Sequence, residues 1–170
     1  VVNYSLHIRK SSFRRSSLLI DIESGIYKDE KNIILIADDD YYCLSTLENI
    51  LNKIIAHSQT FKEYIVFKIK DGIDIINTVI YDQNKKNKIK LIISDENMNI
   101  CNGSDAFMFL NNLFLMERLK KIPMWILTAL ENEEDLNFIK EKCQCDLILK
   151  KPPLKSRILF ELEELMRNES

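Results

Sequence analysis

The sequence predicts an α/β fold, a doubly wound five-stranded parallel sheet with helices on both faces. Short apolar segments alternate with longer segments whose apolar residues recur every three to four positions, and this pair repeats five times. The apolar segments lack the polar alternation of half-exposed strands, which is typical of strands buried on both faces. Crossovers between parallel strands are nearly always right-handed and place helices against the sheet, so this order of elements favours a three-layer architecture.

The first two strand and helix pairs precede a long polar loop. The apolar strand 33–37 is followed by a helix with one buried stripe, made of Leu44, Leu47, Leu51 and Ile54. The second strand, 64–67, leads through the turn signal Asp71-Gly72 into a short helix at 73–81. A lysine-rich loop is predicted at 82–90.

The third strand, 91–94, precedes a helix that begins at Gly103. The apolar face of this helix consists of Phe107, Leu110, Leu113 and Phe114. The fourth pair is a strand at 124–127 and a more polar helix at about 132–142. The fifth pair is a strand at 147–149 and a helix at about 154–166.

One domain is expected at 31–169, because a chain of 170 residues supports one sizeable core. Residues 1–30 mix serine pairs with arginine and lysine, and are predicted to be a linker or N-terminal extension. The chain begins with Val1 rather than Met, which suggests a piece of a longer polypeptide.

Composition excludes several classes of function. The 24 basic and 26 acidic side chains nearly cancel, so no overall field favours direct binding of nucleic acid or of an acidic membrane surface. No apolar run reaches the roughly 18 residues that a membrane span requires. The four cysteines are scattered and favour reduced thiols in the cytoplasm, although Cys143 and Cys145 are spaced closely enough to share a metal.

Charged residues follow three of the predicted strands directly. Asp38, Asp39 and Asp40 close the first strand, Asp95 closes the third, and Lys151 follows the fifth. Since ligands of open parallel sheets bind beyond the carboxyl ends of the strands, we expect these side chains to converge.

Three carboxylates at one place require a cation, because two unit charges about 4 Å apart repel by roughly 4 kcal/mol at an effective dielectric constant of 20. Oxygen ligands favour a hard ion, and an open site that also meets phosphate oxygens suits Mg²⁺. The Lys151 ammonium and the Thr128 hydroxyl are then suitable partners for a phosphoryl group. Asp95 becomes the candidate nucleophile, because a carboxylate can accept a phosphoryl group as an acyl phosphate.

The segment from Asp95 to Gly103 resembles the phosphoacceptor loop of response-regulator receiver domains, with a Met three residues and a Gly eight residues after the Asp. The acids at Asp38 and Asp39, the strand end Thr128-Ala129 and the pair Lys151-Pro152 resemble three further motifs of that family, and the peptide before this proline is usually cis there. The similarity covers about 32–168 and implies the (βα)5 flavodoxin-like receiver fold.

The resemblance also implies roles for individual residues. Asp95 would be phosphorylated by a phosphohistidine donor, either a histidine kinase or a histidine phosphotransfer protein. Mg²⁺ would be held by Asp39, Asp95 and the Asn97 carbonyl, with Asp38 assisting through water. Thr128 and Lys151 would hold the phosphoryl oxygens, and the conformational switch would involve Thr128, Ala129 and Ile148.

Three positions depart from the family pattern. Asn99 replaces the usual proline after Met98, which loosens the loop without removing a ligand. Asn102 replaces a common Asp before Gly103. Ile148 stands where the family usually carries a Tyr or Phe that changes rotamer on phosphorylation, so the aromatic part of the switch is absent.

Two other classes compete with a phosphorelay receiver. An aspartate-nucleophile phosphatase of the haloacid dehalogenase type would use Asp38 with Asp40, but Tyr42 occupies a position where that family expects Thr or Val. A pseudo-receiver would keep the fold as a binding module without phosphorylation. Substitution of Asp38 versus Asp95 separates the phosphatase from the receiver, and only phosphorylation chemistry excludes the pseudo-receiver.

The wider context predicted is the C-terminal receiver of a hybrid sensor histidine kinase, with a free-standing single-domain regulator as the alternative. The segment contains no kinase core, and as a receiver it would catalyse only its own phosphorylation and dephosphorylation. The expected location is the cytoplasm, or the cytosolic part of a larger membrane-bound sensor. Assembly as a homodimer is left open.

Overall fold

Five parallel strands form one sheet in the order β2-β1-β3-β4-β5. The strands are β1 (Asn32–Ala37), β2 (Tyr64–Ile69), β3 (Ile89–Asp95), β4 (Met124–Thr128) and β5 (Leu147–Lys150). This computed structural model describes residues 30–168, so nearly all of the predicted linker at 1–30 lies outside the described residues. The predicted fold class is confirmed.

Helices alternate with the strands and cover both faces of the sheet. They are α1 (Tyr41–His57), α2 (Gly72–Gln83), α3 (Gly103–Leu115), α4 (Glu133–Cys143) and α5 (Lys155–Asn168). Side chains of α1 and α5 pack into one apolar core, and side chains of α2, α3 and α4 pack into the other. Within residues 30–168, no helix is both long and apolar enough to cross a membrane.

Strand β1 shows why the apolar segments form central strands. Ile33 and Leu35 face the core under α2, α3 and α4, whereas Ile34 and Ile36 face the core under α1 and α5. All four side chains are buried. Since full burial of an aliphatic side chain contributes about 1.5 to 3 kcal/mol, a polar residue at any of these positions would weaken one of the two cores.

The predicted boundaries hold closely except before β3. This strand begins at Ile89 rather than at residue 91, and α2 extends to Gln83, so the polar loop is shorter than expected. Asp82 lies inside α2 and is buried, and its two carboxylate oxygens accept hydrogen bonds from the Lys88 and Ile89 amides at 3.0 and 2.9 Å. A buried carboxylate therefore holds the start of β3.

The sheet places the ends of β1, β3, β4 and β5 side by side. Ala37 pairs with Ser94, Asp95 with Leu127, and Thr128 with Lys150. Residues that directly follow these positions are consequently neighbours, although they are far apart in sequence. Strand β2 lies at the edge next to β1 and contributes none of the predicted site residues.

Candidate functional site

Three carboxylates converge at the carboxyl ends of β1 and β3. One oxygen from each of Asp38, Asp39 and Asp95 lies within 4.8 Å of the others. Asp38 and Asp95 are buried, and Asp39 is more accessible to solvent. The predicted convergence of these acids is present in the structure.

Lys151 brings a positive charge into the same site. Its Nζ lies 2.7 Å from Asp38 Oδ2 and 2.9 Å from Asp95 Oδ1, so one ammonium contacts carboxylates from two strands. The Lys151 amide donates to the Thr128 carbonyl at 2.8 Å, which fixes the backbone beyond β5 against the end of β4. The Lys151-Pro152 peptide is cis, as the family resemblance implies.

The site is a coupled charge cluster. Burial raises the pKa of the Asp95 carboxyl above its ordinary value, and Asp38 adds to this effect while Lys151 opposes it. Burial favours the neutral amine of Lys151, but hydrogen bonds to Asp38 and Asp95 outweigh burial and raise the pKa of this ammonium. Three carboxyl groups around one ammonium form a site with more acidic than basic groups, which suits a divalent cation.

The donor set fits Mg²⁺. It consists of carboxylate oxygens at an open edge of the sheet, where a hard ion can keep several water ligands. Asn97, the fourth predicted ligand through its carbonyl, lies in the loop two residues after Asp95, and its side chain is exposed.

The three consecutive acids at the end of β1, 38–40, have two different roles. Asp40 is the N-cap of α1, and its Oδ1 accepts a hydrogen bond from the Cys43 amide at 2.8 Å. Asp38 Oδ1 accepts from the Asp40 amide at 2.9 Å, which leaves Oδ2 on Lys151. Two carboxylates of the run thus serve the charge cluster, and the third satisfies a helix start.

Thr128 lies beside Asp95 at the end of the neighbouring strand β4. The threonine is buried, and its hydroxyl oxygen accepts a hydrogen bond from the Leu130 amide at 3.1 Å. Ala129 lines a cleft next to the site, and Ile148 is half-buried against the apolar core together with Leu130. The proposed switch residues are therefore near one another at the end of β4 and in β5.

The loop after Asp95 packs closely on the start of α3. A Cβ at Gly103 would lie 2.3 Å from the Asp95 carbonyl oxygen and 2.8 Å from Ser94 Oγ, so only glycine fits here. Met98 is buried, and its amide donates to Asn102 Oδ1 at 3.2 Å. Asn102 thus supports the loop through its side chain.

Glu96 is the residue that sequence reasoning missed. It directly follows Asp95 and is only 6% exposed. Its carboxylate accepts hydrogen bonds from both the amide and the hydroxyl of Ser104. The only signal in the sequence is an acid between a buried strand and a helix start, and such an acid is usually solvated.

A cleft of about 460 Å³ opens beside the charge cluster. Asp38 and Lys151 form its charged end, and Cys43, Leu47, Leu127 and Pro153 form an apolar wall. Tyr42 at its rim is 79% exposed. The charge cluster is therefore reachable from solvent along an apolar surface.

No known protein family and no curated protein matches this sequence. Solved structures do match. A receiver domain of a Francisella response regulator is 19% identical with a TM-score of 0.62, covering 82% of this chain and 100% of that chain. The receiver domain of a signal transduction histidine kinase from Syntrophus aciditrophicus is 21% identical with a TM-score of 0.61, covering 81% and 91%.

A third match is the receiver domain of the histidine kinase CKI1 from Arabidopsis thaliana, which was solved in complex with Mg²⁺ and BeF₃⁻. It is 13% identical with a TM-score of 0.65, covering 80% of this chain and 90% of that chain. Fold and site together define an α/β domain with an acid and lysine cluster at the carboxyl edge of its sheet. In particular, the chain has the fold of receiver domains.

Proposed function

We propose that this protein is a phosphorelay receiver whose Asp95 accepts a phosphoryl group from a phosphohistidine donor in the presence of Mg²⁺. The observation that carries the proposal is the position of the Lys151 ammonium, which contacts both Asp38 and Asp95 with Asp39 in the same cluster. An acceptor carboxylate, further acidic ligands and a fixed cation are the groups that phosphoryl transfer to an aspartate requires.

In the proposed step, a carboxylate oxygen of Asp95 attacks the phosphorus atom of the donor. A bond between this oxygen and phosphorus forms, the phosphorus–nitrogen bond to the imidazole breaks, and the imidazole leaves with the bonding electron pair. Asp95 becomes an acyl phosphate. The histidine ring ends neutral because its other nitrogen is protonated in the reacting donor, or because the leaving nitrogen takes a proton from water. No general base is required, because the attacking oxygen carries no proton in the carboxylate form.

Lys151 supplies a positive charge on the side of the site next to Asp38. The ammonium of the free site can move from the Asp95 carboxylate to a phosphoryl oxygen, since both are anionic oxygens at the same place. The Thr128 hydroxyl is the second group of this chain that we assign to the phosphoryl oxygens. When it leaves the Leu130 amide for that contact, the backbone at Ala129 and Leu130 changes, and this is the proposed switch.

Asp38, Asp39, Asp95 and the Asn97 carbonyl are the groups that we assign to Mg²⁺. When bound, the ion neutralises charge on the carboxylates and on the transferred phosphoryl group. Hydrolysis of the acyl phosphate within the same site would return the domain to its resting state.

Ile148 makes the proposed switch different from an aromatic one. The side chains of Ile148 and Leu130 both pack against the apolar core under α2, α3 and α4. We therefore propose that aliphatic packing of this core transmits a change at the end of β4. A branched aliphatic side chain presents no ring that can exchange between buried and exposed rotamers.

The proposed partner is a histidine kinase or a histidine phosphotransfer protein. We assign the donor imidazole to the apolar cleft that ends at Asp38 and Lys151, because the Lys151 ammonium at this end also contacts Asp95. We also propose that the domain serves as the receiver of a hybrid histidine kinase in the cytoplasm, since two of the similar structures are receiver domains of histidine kinases.

The proposal is tested by the intact mass of the protein after exposure to acetyl phosphate, with and without Mg²⁺, measured by rapid quench. We expect a phosphoryl adduct that requires Mg²⁺ and that is absent from Asp95→Asn. Asp40→Asn is the matched control, because an asparagine can also cap α1 and this side chain is directed to Cys43.

Each other outcome identifies a competing class. An adduct that survives in Asp95→Asn but is lost in Asp38→Asn would indicate a phosphatase-type nucleophile. The engagement of Asp40 as a helix cap weighs against that alternative. A folded protein that binds Mg²⁺ and forms no adduct would be a pseudo-receiver.

A further inference from the structure

We infer that Glu96 and Ser104 form a clamp that positions the acceptor loop, residues 96–102, for Mg²⁺ binding beside Asp95. This inference rests on the proposed function and assigns positioning residues to the same site. Neither side chain is a catalytic residue, because their described contacts are with each other and with the backbone.

The clamp consists of three hydrogen bonds between the two ends of the loop. Ser104 donates from its amide to Glu96 Oε2 at 3.0 Å and from its hydroxyl to Glu96 Oε1 at 2.8 Å. The Gly103 amide donates to the Glu96 carbonyl at 3.0 Å. Ser104 is fully buried and Glu96 nearly so, which means that water does not compete for these bonds.

The loop needs such contacts because its sequence gives it little stiffness. Residues 96–102 contain no proline, so no side chain of the segment fixes a backbone angle. The far side of the loop is held by a second buried carboxylate, since Asp71 Oδ2 accepts from the Ile100 amide at 3.0 Å. Asn97 lies between these two attachments.

The position of Glu96 links the clamp to the site. Its amide donates to the Leu127 carbonyl at 3.0 Å, so the residue is tied to the end of β4 as well as to α3. Because both the backbone amide and the side chain of Glu96 are hydrogen-bonded, the backbone of the next residue, Asn97, can adopt few orientations. The carbonyl that we assign to Mg²⁺ is thereby held at a defined place relative to Asp95.

A mere helix cap would act differently from a positioning residue. Asn102, the N-cap residue of α3, has no side-chain hydrogen bond to the helix start, so Glu96 takes over the capping of Ser104. If capping were the whole role, loss of Glu96 would lower the stability of α3 and leave the Mg²⁺ affinity of the folded protein unchanged.

The test compares Glu96→Gln with the parent and with Glu133→Gln, a matched control at the exposed start of α4. A glutamine has one acceptor oxygen in place of two, so it cannot accept from both the amide and the hydroxyl of Ser104. Any bond that its NH₂ group donates to the hydroxyl is a neutral one, weaker than the bond to a carboxylate. We expect Mg²⁺ affinity, measured by calorimetry with Mg²⁺ alone, to fall about 10-fold, as is usual when support for a metal ligand is removed. The control should keep the parent affinity.

A second arm separates positioning from folding. Phosphorylation by acetyl phosphate should slow at low Mg²⁺ and recover towards the parent rate at saturating Mg²⁺. Asn99→Pro, which stiffens the loop by another route, should restore part of the lost affinity in the Glu96→Gln background. A folded Glu96→Gln protein with the parent affinity and the parent rate overturns the inference.

Ser104→Ala covers the case in which Glu96→Gln fails to fold. It removes the hydroxyl bond and keeps the amide bond, so a smaller loss of Mg²⁺ affinity is expected, and an unchanged affinity overturns the inference. The hydrogen-exchange rate of the backbone amides of residues 97–101, measured without Mg²⁺, reports directly on the clamp. This rate should increase in both variants. A parent that binds no Mg²⁺ refutes the proposed function, whereas slow exchange in the variants refutes the clamp.

Discussion

Asp39 is the carboxylate of the cluster for which function and stability have opposite requirements. The two ion pairs of the Lys151 ammonium that the structure describes are with Asp38 and Asp95. Asp39 adds a third negative charge within 4.8 Å of both. Without a bound cation, this charge raises the free energy of the folded state.

We therefore predict that Asp39→Asn stabilises the Mg²⁺-free protein by about 1 kcal/mol, a screened value for like charges near the protein surface. The same substitution should weaken Mg²⁺ binding, because one acidic ligand is removed. Urea unfolding with and without Mg²⁺ measures both effects. Asp40→Asn is the control, and a destabilised Mg²⁺-free Asp39→Asn protein would contradict the assignment.

Residue-level roles were only partly readable from the sequence. Asp38, Asp95 and Lys151 were predicted together because strand ends of a parallel sheet converge, and the structure brings them together. The capping role of Asp40 was open, since an acid after a strand suits either a site or a helix start. Glu96 and Asp71 were not recognised as loop supports, because their bonds depend on partners 8 and 29 residues away.

The start of α3 is the element most restricted by the acceptor loop. Gly103→Ala would place a methyl group against the Asp95 carbonyl and Ser94 Oγ, both of which are held in β3. We predict a loss of stability of about 2 kcal/mol or more, as is usual when a packed site is overfilled. Denaturant unfolding of the parent and of Gly103→Ala measures this difference in the free energy of unfolding.

The matched control for this prediction is Asn112→Ala, an exposed change in the same helix. Alanine is the better helix former, so that variant should be as stable as the parent or slightly more stable. Equal stability of Gly103→Ala and the parent would show that the loop and α3 are not packed as described.

The end of α4 contains a residue in a conformation that favours glycine. Gln144 is the C-cap with φ 49° and ψ 38°, and its amide donates to the Lys140 carbonyl at 2.8 Å. Gln144→Gly keeps this bond and removes the Cβ clash of the left-handed region. We predict a gain of about 1 kcal/mol, reduced by the greater freedom of glycine in the unfolded chain.

Thermal unfolding of Gln144→Gly beside Gln144→Ala tests the backbone explanation. The alanine variant keeps a Cβ and should remain near the parent, because the glutamine side chain is exposed. If alanine were to stabilise as much as glycine, the side chain rather than the backbone would be responsible.

Element boundaries were predictable where burial and periodicity agree, as in β1 and α1. The error before β3 has a specific cause. A charged residue after a short helix reads as the start of a loop, but the Asp82 carboxylate is buried and takes two amide hydrogen bonds. Such a bond pattern has no local signature, because it depends on how α2 packs on the sheet.

At the scale of the whole molecule, Mg²⁺ should act as a stabilising ligand. The acids that we assign to it come from two strands and are brought together only in the folded chain. A ligand that binds only the folded state adds about 2.7 kcal/mol at a concentration of 100 times its Kd. We predict that the unfolding midpoint rises with Mg²⁺ concentration.

Calorimetric unfolding over a range of Mg²⁺ concentrations measures this dependence, with K⁺ at matched ionic strength as the control. The rise should shrink in Asp39→Asn. A midpoint that responds equally to both salts would show general screening rather than occupation of the acidic cluster.

The contact between Lys151 and Asp38 joins positions 113 residues apart, at the two ends of the fold. A ribosome adds about 5 to 20 residues per second, so Asp38 is incorporated about 6 to 23 seconds before its counter-charge is made. Asp95, the proposed acceptor, is made about halfway through that interval, and from then on the growing chain has the acceptor carboxylate and lacks the ammonium that completes the site. We expect the nascent protein to be inert to donors until its last strand has been synthesised, so that signalling begins only with a finished domain.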